Sequence, residues 1–105
     1  MSVHHLKAVF HQTVFIRPAG GKFSSTKSTN ISLESISLNT ELVLPVGSKC
    51  DLEISMLKSA SSSPIKVEGV VKQQLSTGLL INFCELDQVD LERIEAIIMH
   101  NTSHP

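Results

Sequence analysis

Between residues 48 and 57 apolar and polar side chains alternate, with Cys50, Leu52, Ile54 and Met56 on one parity and Lys49, Asp51, Glu53 and Ser55 on the other. Successive side chains of an extended chain point to opposite faces, and this spacing predicts a half-buried strand. Ile65, Val67, Gly69 and Val71 repeat the pattern against Lys66, Glu68, Val70 and Lys72. The segment 58–64 between them, Lys-Ser-Ala-Ser-Ser-Ser-Pro, has the composition of a flexible loop, and the two runs together predict a hairpin. Gly78-Leu-Leu-Ile-Asn-Phe-Cys84 follows a turn at Ser76-Thr77-Gly78 and is mostly apolar at both parities. That predicts a strand covered on both faces and placed near the centre of the sheet.

Upstream, Thr13-Val-Phe-Ile-Arg17 is β-branched and aromatic, and Pro18-Ala-Gly-Gly21 breaks the chain before Lys22-Phe23 begins again. A second hairpin follows from this. Its return strand, Phe23 to Ile31, is mostly Ser, Thr and Lys, a composition suited to a pleated surface facing solvent or a ligand. Ser35-Ile-Ser-Leu-Asn39 alternates again, and Leu44-Pro-Val-Gly47 turns the chain into the strand at 48. About six strands result, with turn residues every 8–14 positions and no helix between them. That organisation is an antiparallel barrel or sandwich and excludes a βαβ sheet.

The 3.6-residue period appears only at the C-terminus. Asp87 is the candidate N-cap, Glu85 and Asp90 flank the helix start, and Leu91, Ile94, Ile97 and Ile98 form one apolar face. A helix from Asp87 to about His100 would be roughly 20 Å long, enough to cover an open end or seam of the barrel. Residues 99–105 are expected to fray.

At 105 residues the chain holds one core, and 41% hydrophobic against 18% charged residues is a globular composition. No apolar run has the length of a membrane span or a secretory leader, which predicts a soluble domain in the cytoplasm. Cys50 and Cys84 lie far apart and form no C-x-x-C, so both are expected to be reduced, inert core thiols. The net charge of −1 conceals an uneven distribution. Residues 1–33 carry Lys7, Arg17, Lys22 and Lys27 and no acid, while all ten acids follow from Glu34 onward with the five remaining bases. If that third formed one surface, it would attract an anion such as a phosphate, a nucleotide or an acidic partner; a Lys-bearing edge strand is the other reading.

The five histidines stand near the chain ends with no cysteine beside them, and no metal site follows. Gly20-Gly21-Lys22 lacks the spacing of a phosphate loop and reads as a hairpin turn. No G-x-S-x-G is present and neither cysteine has a histidine at a catalytic spacing, so the sequence predicts no enzyme and no cofactor. Four phenylalanines, no Tyr or Trp and near-zero net charge offer nothing to a nucleic acid.

Asn30-Ile-Ser-Leu-Glu-Ser35 lies between two strands and is followed by the strand 36–38, the turn 44–47, the strands 48–57, 65–72 and 78–83, and the acidic-start helix. In this order the chain resembles a PilZ domain over roughly residues 7–98. The resemblance implies one domain, a six-stranded antiparallel Greek-key β-barrel with a C-terminal helix. It also implies a ligand, the messenger cyclic di-GMP, held by an N-terminal R-x-x-x-R and a later [DN]-x-S-x-x-G. Arginines pair with phosphate or stack on guanine, Asn or Asp and Ser bond the base, and Gly allows close backbone approach. Asn30 and Ser32 match the second motif, whereas Ser35 stands at its glycine and adds a Cβ. The arginine pair is replaced by Val3-His-His-Leu-Lys7, with Lys7 the nearest substitute beside His4 and His5. Lysine lacks the planar fork of arginine.

Two functions follow from the resemblance. In one, the chain is an adaptor of cyclic di-GMP signalling that binds the messenger weakly or not at all and acts on a separate signalling or motility protein. In the other, it is a direct receptor using Lys7, Asn30 and Ser32, with Ser35, Arg17 and Lys27 completing the acid-free surface. A plainer role for Asn30 and Ser32 is to cap a corner through local side-chain to backbone bonds.

Overall fold

The computed structural model describes residues 7–55 and 63–102. Seven strands and one helix follow in order: β1 (Ala8–Val9), β2 (Thr13–Pro18), β3 (Ser24–Ile31), β4 (Ser35–Asn39), β5 (Lys49–Ile54), β6 (Ile65–Leu75), β7 (Gly78–Phe83) and α1 (Gln88–Thr102). Every pairing is antiparallel. Neighbours run β3–β2–β5–β6–β7–β4, and β4 pairs again with β3, which closes a six-stranded Greek-key barrel. Both expected hairpins are present, β2 with β3 and β5 with β6. The 40–48 connection carries the chain from β4 to the non-adjacent β5, and its turn is tied by Ser48 N to Pro45 O at 3.0 Å. Met56 and residues 58–62 of the expected loop lie outside the described residues.

The period-2 pattern places Val14, Ile16, Ile36, Leu38, Leu52, Ile54, Ile65, Val71, Leu79 and Ile81 inside the barrel. Two register shifts bend the walls. One lies between Ser28 and Asn30 on β3, the other between Val71 and Gln73 on β6. Each inserts an extra residue and sharpens the local twist, which a small closed barrel requires. Gly78 is dictated by close approach, since a Cβ there would stand 1.7 Å from the Leu38 carbonyl oxygen.

Asp87 caps α1 through its Oδ1, which accepts from Asp90 N at 2.8 Å. Ile94, Ile97 and Ile98 join the barrel core, and α1 packs on β1 and β6. The helix continues past His100, where sequence reading ends it, to Thr102. The Asn101 side chain donates to Ile97 O at 2.7 Å, one turn back along the helix.

Three further expectations need correction. β3 is not a solvent face alone, because Thr26 and Ser28 are 5% and 1% exposed and point into the barrel. Their hydroxyls replace water with backbone partners: Thr26 Oγ1 donates to Val14 O at 2.7 Å, and Ser28 Oγ donates to Phe10 O while accepting from Gln12 N at 3.0 Å. β7 is covered on one side only, with Leu79 and Ile81 buried and Leu80 and Asn82 half-buried, since a closed barrel has no central strand. Both cysteines are free, but Cys84 lies just beyond β7 and is half-buried, whereas Cys50 is in the core.

Candidate functional site

β1 is the element that sequence pattern missed. Its two residues pair with the end of β3, Ala8 opposite Ile31 and Val9 opposite Asn30. Continuing that register sets Lys7, which is exposed, beside Ser32. The bulge at Thr29 reverses parity along β3: Thr26 and Ser28 point inward before it, and Ile31 points inward after it. Asn30 is thereby turned to the outer face between Val9 and Ser37. No hydrogen bond engages its carboxamide among the described residues. Val9, 58% exposed, supplies an apolar surface next to it.

Ser32 is engaged differently. Its hydroxyl accepts from Glu34 N at 3.2 Å and Ser35 N at 3.1 Å, and lies 3.3 Å from Ser35 Oγ. Ser32 N donates to Ser35 O at 2.9 Å, closing a tight turn into β4. This is local side-chain to backbone bonding of the corner-capping kind. Ser35 opens β4 opposite Asn82, and among the described residues only glycines have a positive φ. What serine takes from a glycine position here is therefore space, not backbone conformation.

Lys7, Asn30, Ser32 and Ser35 thus converge on one corner of the barrel. Lys27 stands three residues back along β3, roughly 10 Å away at strand rise, and donates to Thr13 Oγ1 at 3.1 Å. Arg17 is not at the corner. The pairing of Ile16 with Ser24 puts it at the other end of β3, about seven residues or roughly 23 Å from Asn30. It is bound to Asp51 through Nη2 at 2.6 Å and Nε at 3.1 Å, and its guanidinium lies 4.8 Å from the centre of the Phe23 ring. The other arginine of the sequence, Arg93 on α1, donates to the Ser63 carbonyl. The acid-free third of the sequence does not form an acid-free surface either, because β2 pairs with β5 and faces Asp51 and Glu53. His4 and His5 lie outside the described residues.

No protein-family model and no curated protein matches the sequence. Solved structures do match. The Bacillus subtilis inhibitor of motility, MotI/DgrA, superposes with a TM-score of 0.74 at 19% identity, over 90% of this chain and 48% of that one. This chain therefore spans about half the length of the Bacillus protein. The PilZ domain of CeSA from a cellulose-synthesizing bacterium superposes with a TM-score of 0.70 at 5% identity, over 90% of this chain and 95% of the domain. With the closed six-stranded barrel, the capping helix and nearly full coverage of an isolated PilZ domain, the fold of this chain is that of a PilZ domain.

Proposed function

We propose that the chain is a PilZ-like adaptor of cyclic di-GMP signalling, which acts through a separate signalling or motility protein and binds the messenger weakly or not at all. The observation that carries this reading is the whereabouts of its arginines. A bis-phosphate ligand with two guanines is held by planar, bidentate cations, and the Lys7–Asn30–Ser32 corner has none. Arg17 is neutralised by Asp51 at the far end of β3, and Arg93 is engaged on the helix. Ser32 spends its hydroxyl on its own turn. That one of the proteins sharing the fold is an inhibitor of motility supports a role exerted on another protein.

One observation favours the second reading, a direct receptor. Asn30 presents an unengaged carboxamide beside Lys7 and the exposed Val9, an arrangement able to bond a base edge and attract one phosphate. Calorimetric titration of cyclic di-GMP into the unmodified chain at neutral pH and modest salt separates the two. The adaptor reading expects no saturation in the low-micromolar range, and a stoichiometric isotherm there would establish the receptor instead.

A further inference from the structure

The face of the barrel away from that corner carries a different kind of surface. On the outer side of β2, β5 and β6 the register stacks two rungs: Phe15–Glu53–Lys66 and Arg17–Asp51–Glu68. All of them but Phe15, which borders it beside Glu53, line an open groove of about 390 Å³ with Phe23, Leu52 and Val67. Phe15 and Phe23 are 38% and 40% exposed, two of the four phenylalanines in the chain. The second rung is unbalanced. Asp51 has its cation in Arg17, while Glu68, directly across β6 from Asp51, has no ion pair among the described residues. Like charges directly opposite on a sheet are unfavourable, and surfaces usually pair opposite signs at such positions.

We infer that this groove is the docking site for the protein partner, and that it receives a cationic side chain, arginine or lysine, flanked by an aliphatic one. The cation would lie between Glu68 and Asp51 and relieve their juxtaposition, and the aliphatic neighbour would cover Phe15 or Phe23. Aromatic anchors are enriched at the cores of interfaces, and an unpaired carboxylate beside them selects a partner of complementary, positive charge. The inference gives the partner its chemistry and rests on the adaptor reading. The two fail separately, because the messenger titration probes the Lys7–Asn30 corner and the following test reads only the groove.

The test titrates the isotopically labelled chain with two blocked peptides, acetyl-Arg-Leu-Arg-Leu-Arg-amide and its Glu-Leu counterpart, and follows backbone amide shifts. The arginine peptide is expected to move Phe15, Arg17, Asp51, Glu53 and Glu68, and the glutamate peptide to move none of them. Glu68→Lys should weaken arginine-peptide binding by about tenfold, the worth of one charge-assisted contact. The same variant should leave the thermal midpoint of the free chain unchanged or raise it, which a merely structural glutamate would not do. Phe23→Ser should weaken binding without unfolding the barrel, as its ring lies outside the core. Shifts clustered elsewhere, equal binding of the acidic peptide, or no effect of Glu68→Lys would overturn the inference. A concentration-dependent dimer abolished by Glu68→Lys, without peptide-induced shifts, would overturn it in favour of a second copy of the chain.

Discussion

Ser28→Ala removes one oxygen from the barrel interior and should unfasten the segment that carries Lys7. Ser28 is 1% exposed, donates to Phe10 O and accepts from Gln12 N at 3.0 Å, so its hydroxyl joins β3 to the chain between β1 and β2. Alanine cannot replace either bond, and the Phe10 carbonyl is left without that partner against the core. At about 1 kcal/mol net for each hydrogen bond and about 1 kcal/mol more for a stranded polar group, the loss is roughly 2–3 kcal/mol. For a domain of this size that lowers the thermal midpoint by roughly 10–20 °C. Urea unfolding gives the free energy, and amide exchange gives the location, with faster exchange expected at Ala8, Val9 and Phe10 before the rest of the barrel. Ser25→Ala, on the exposed side of the same strand, is the control and should stay within about 0.5 kcal/mol of the parent. A Ser28→Ala variant as stable as that control would refute the view that the polar strand is held by its inward hydroxyls.

Truncating Ile94, which is fully buried between helix and barrel, should cost about 2–4 kcal/mol in urea unfolding; a negligible loss would mean that α1 does not complete the core. Gly78→Ala should prevent folding or lower stability more than any surface change, because the added Cβ meets backbone at Leu38; a folded variant with parental circular dichroism and midpoint would contradict that contact. Burial, with smaller contributions from Asp51 and Cys84, pushes the Cys50 thiol up to about 11 from its ordinary 9.0. The unfolded chain therefore ionises first, so this contribution to stability is intact below about pH 9 and is lost as pH rises toward 11, a decline that Cys50→Ala should reduce. Under native conditions at pH 8 a thiol reagent should modify Cys84 first and Cys50 only on unfolding; equal rates would contradict their different burial.

The barrel was legible where one face of a strand is greasy and the other charged. β5 and β6 show this most clearly, and their pairing of Leu52 with Val67 and Ile54 with Ile65 is what alternation predicts. α1 was legible for the same reason, from the isoleucines at helical spacing and the Asp87 cap. β3 misled because composition weighs Ser and Thr as surface residues, and only tertiary structure shows that their hydroxyls have backbone partners inside. β1 could not be read, since two residues carry no period, and it exists because Asn30 and Ile31 at the end of β3 offer Ala8 and Val9 an edge to pair with. The corner was half legible. Motif spacing drew attention to Asn30, Ser32 and Ser35, but the bulge at Thr29 that aims Asn30 outward leaves no local mark. The uneven charge of the sequence proved a poor guide to surface potential, because antiparallel pairing lays basic β2 against acidic β5. The rung register that sets Glu68 opposite Asp51 is likewise visible only once the strands are paired.

Whether the missing arginines silence the Lys7–Asn30–Ser32 corner is tested most directly by calorimetry of the parent beside a Val3→Arg/Lys7→Arg/Ser35→Gly variant. Each bidentate charge-assisted contact is worth about 1.5–3 kcal/mol, so two restored contacts should tighten cyclic di-GMP by roughly two to four orders of magnitude. The glycine clears the Cβ beside the Ser32 turn. The predicted result is no saturation for the parent in the low-micromolar range and a measurable one-phase isotherm for the variant. Tight binding by the parent, or a variant that binds no better than the parent, would contradict the account.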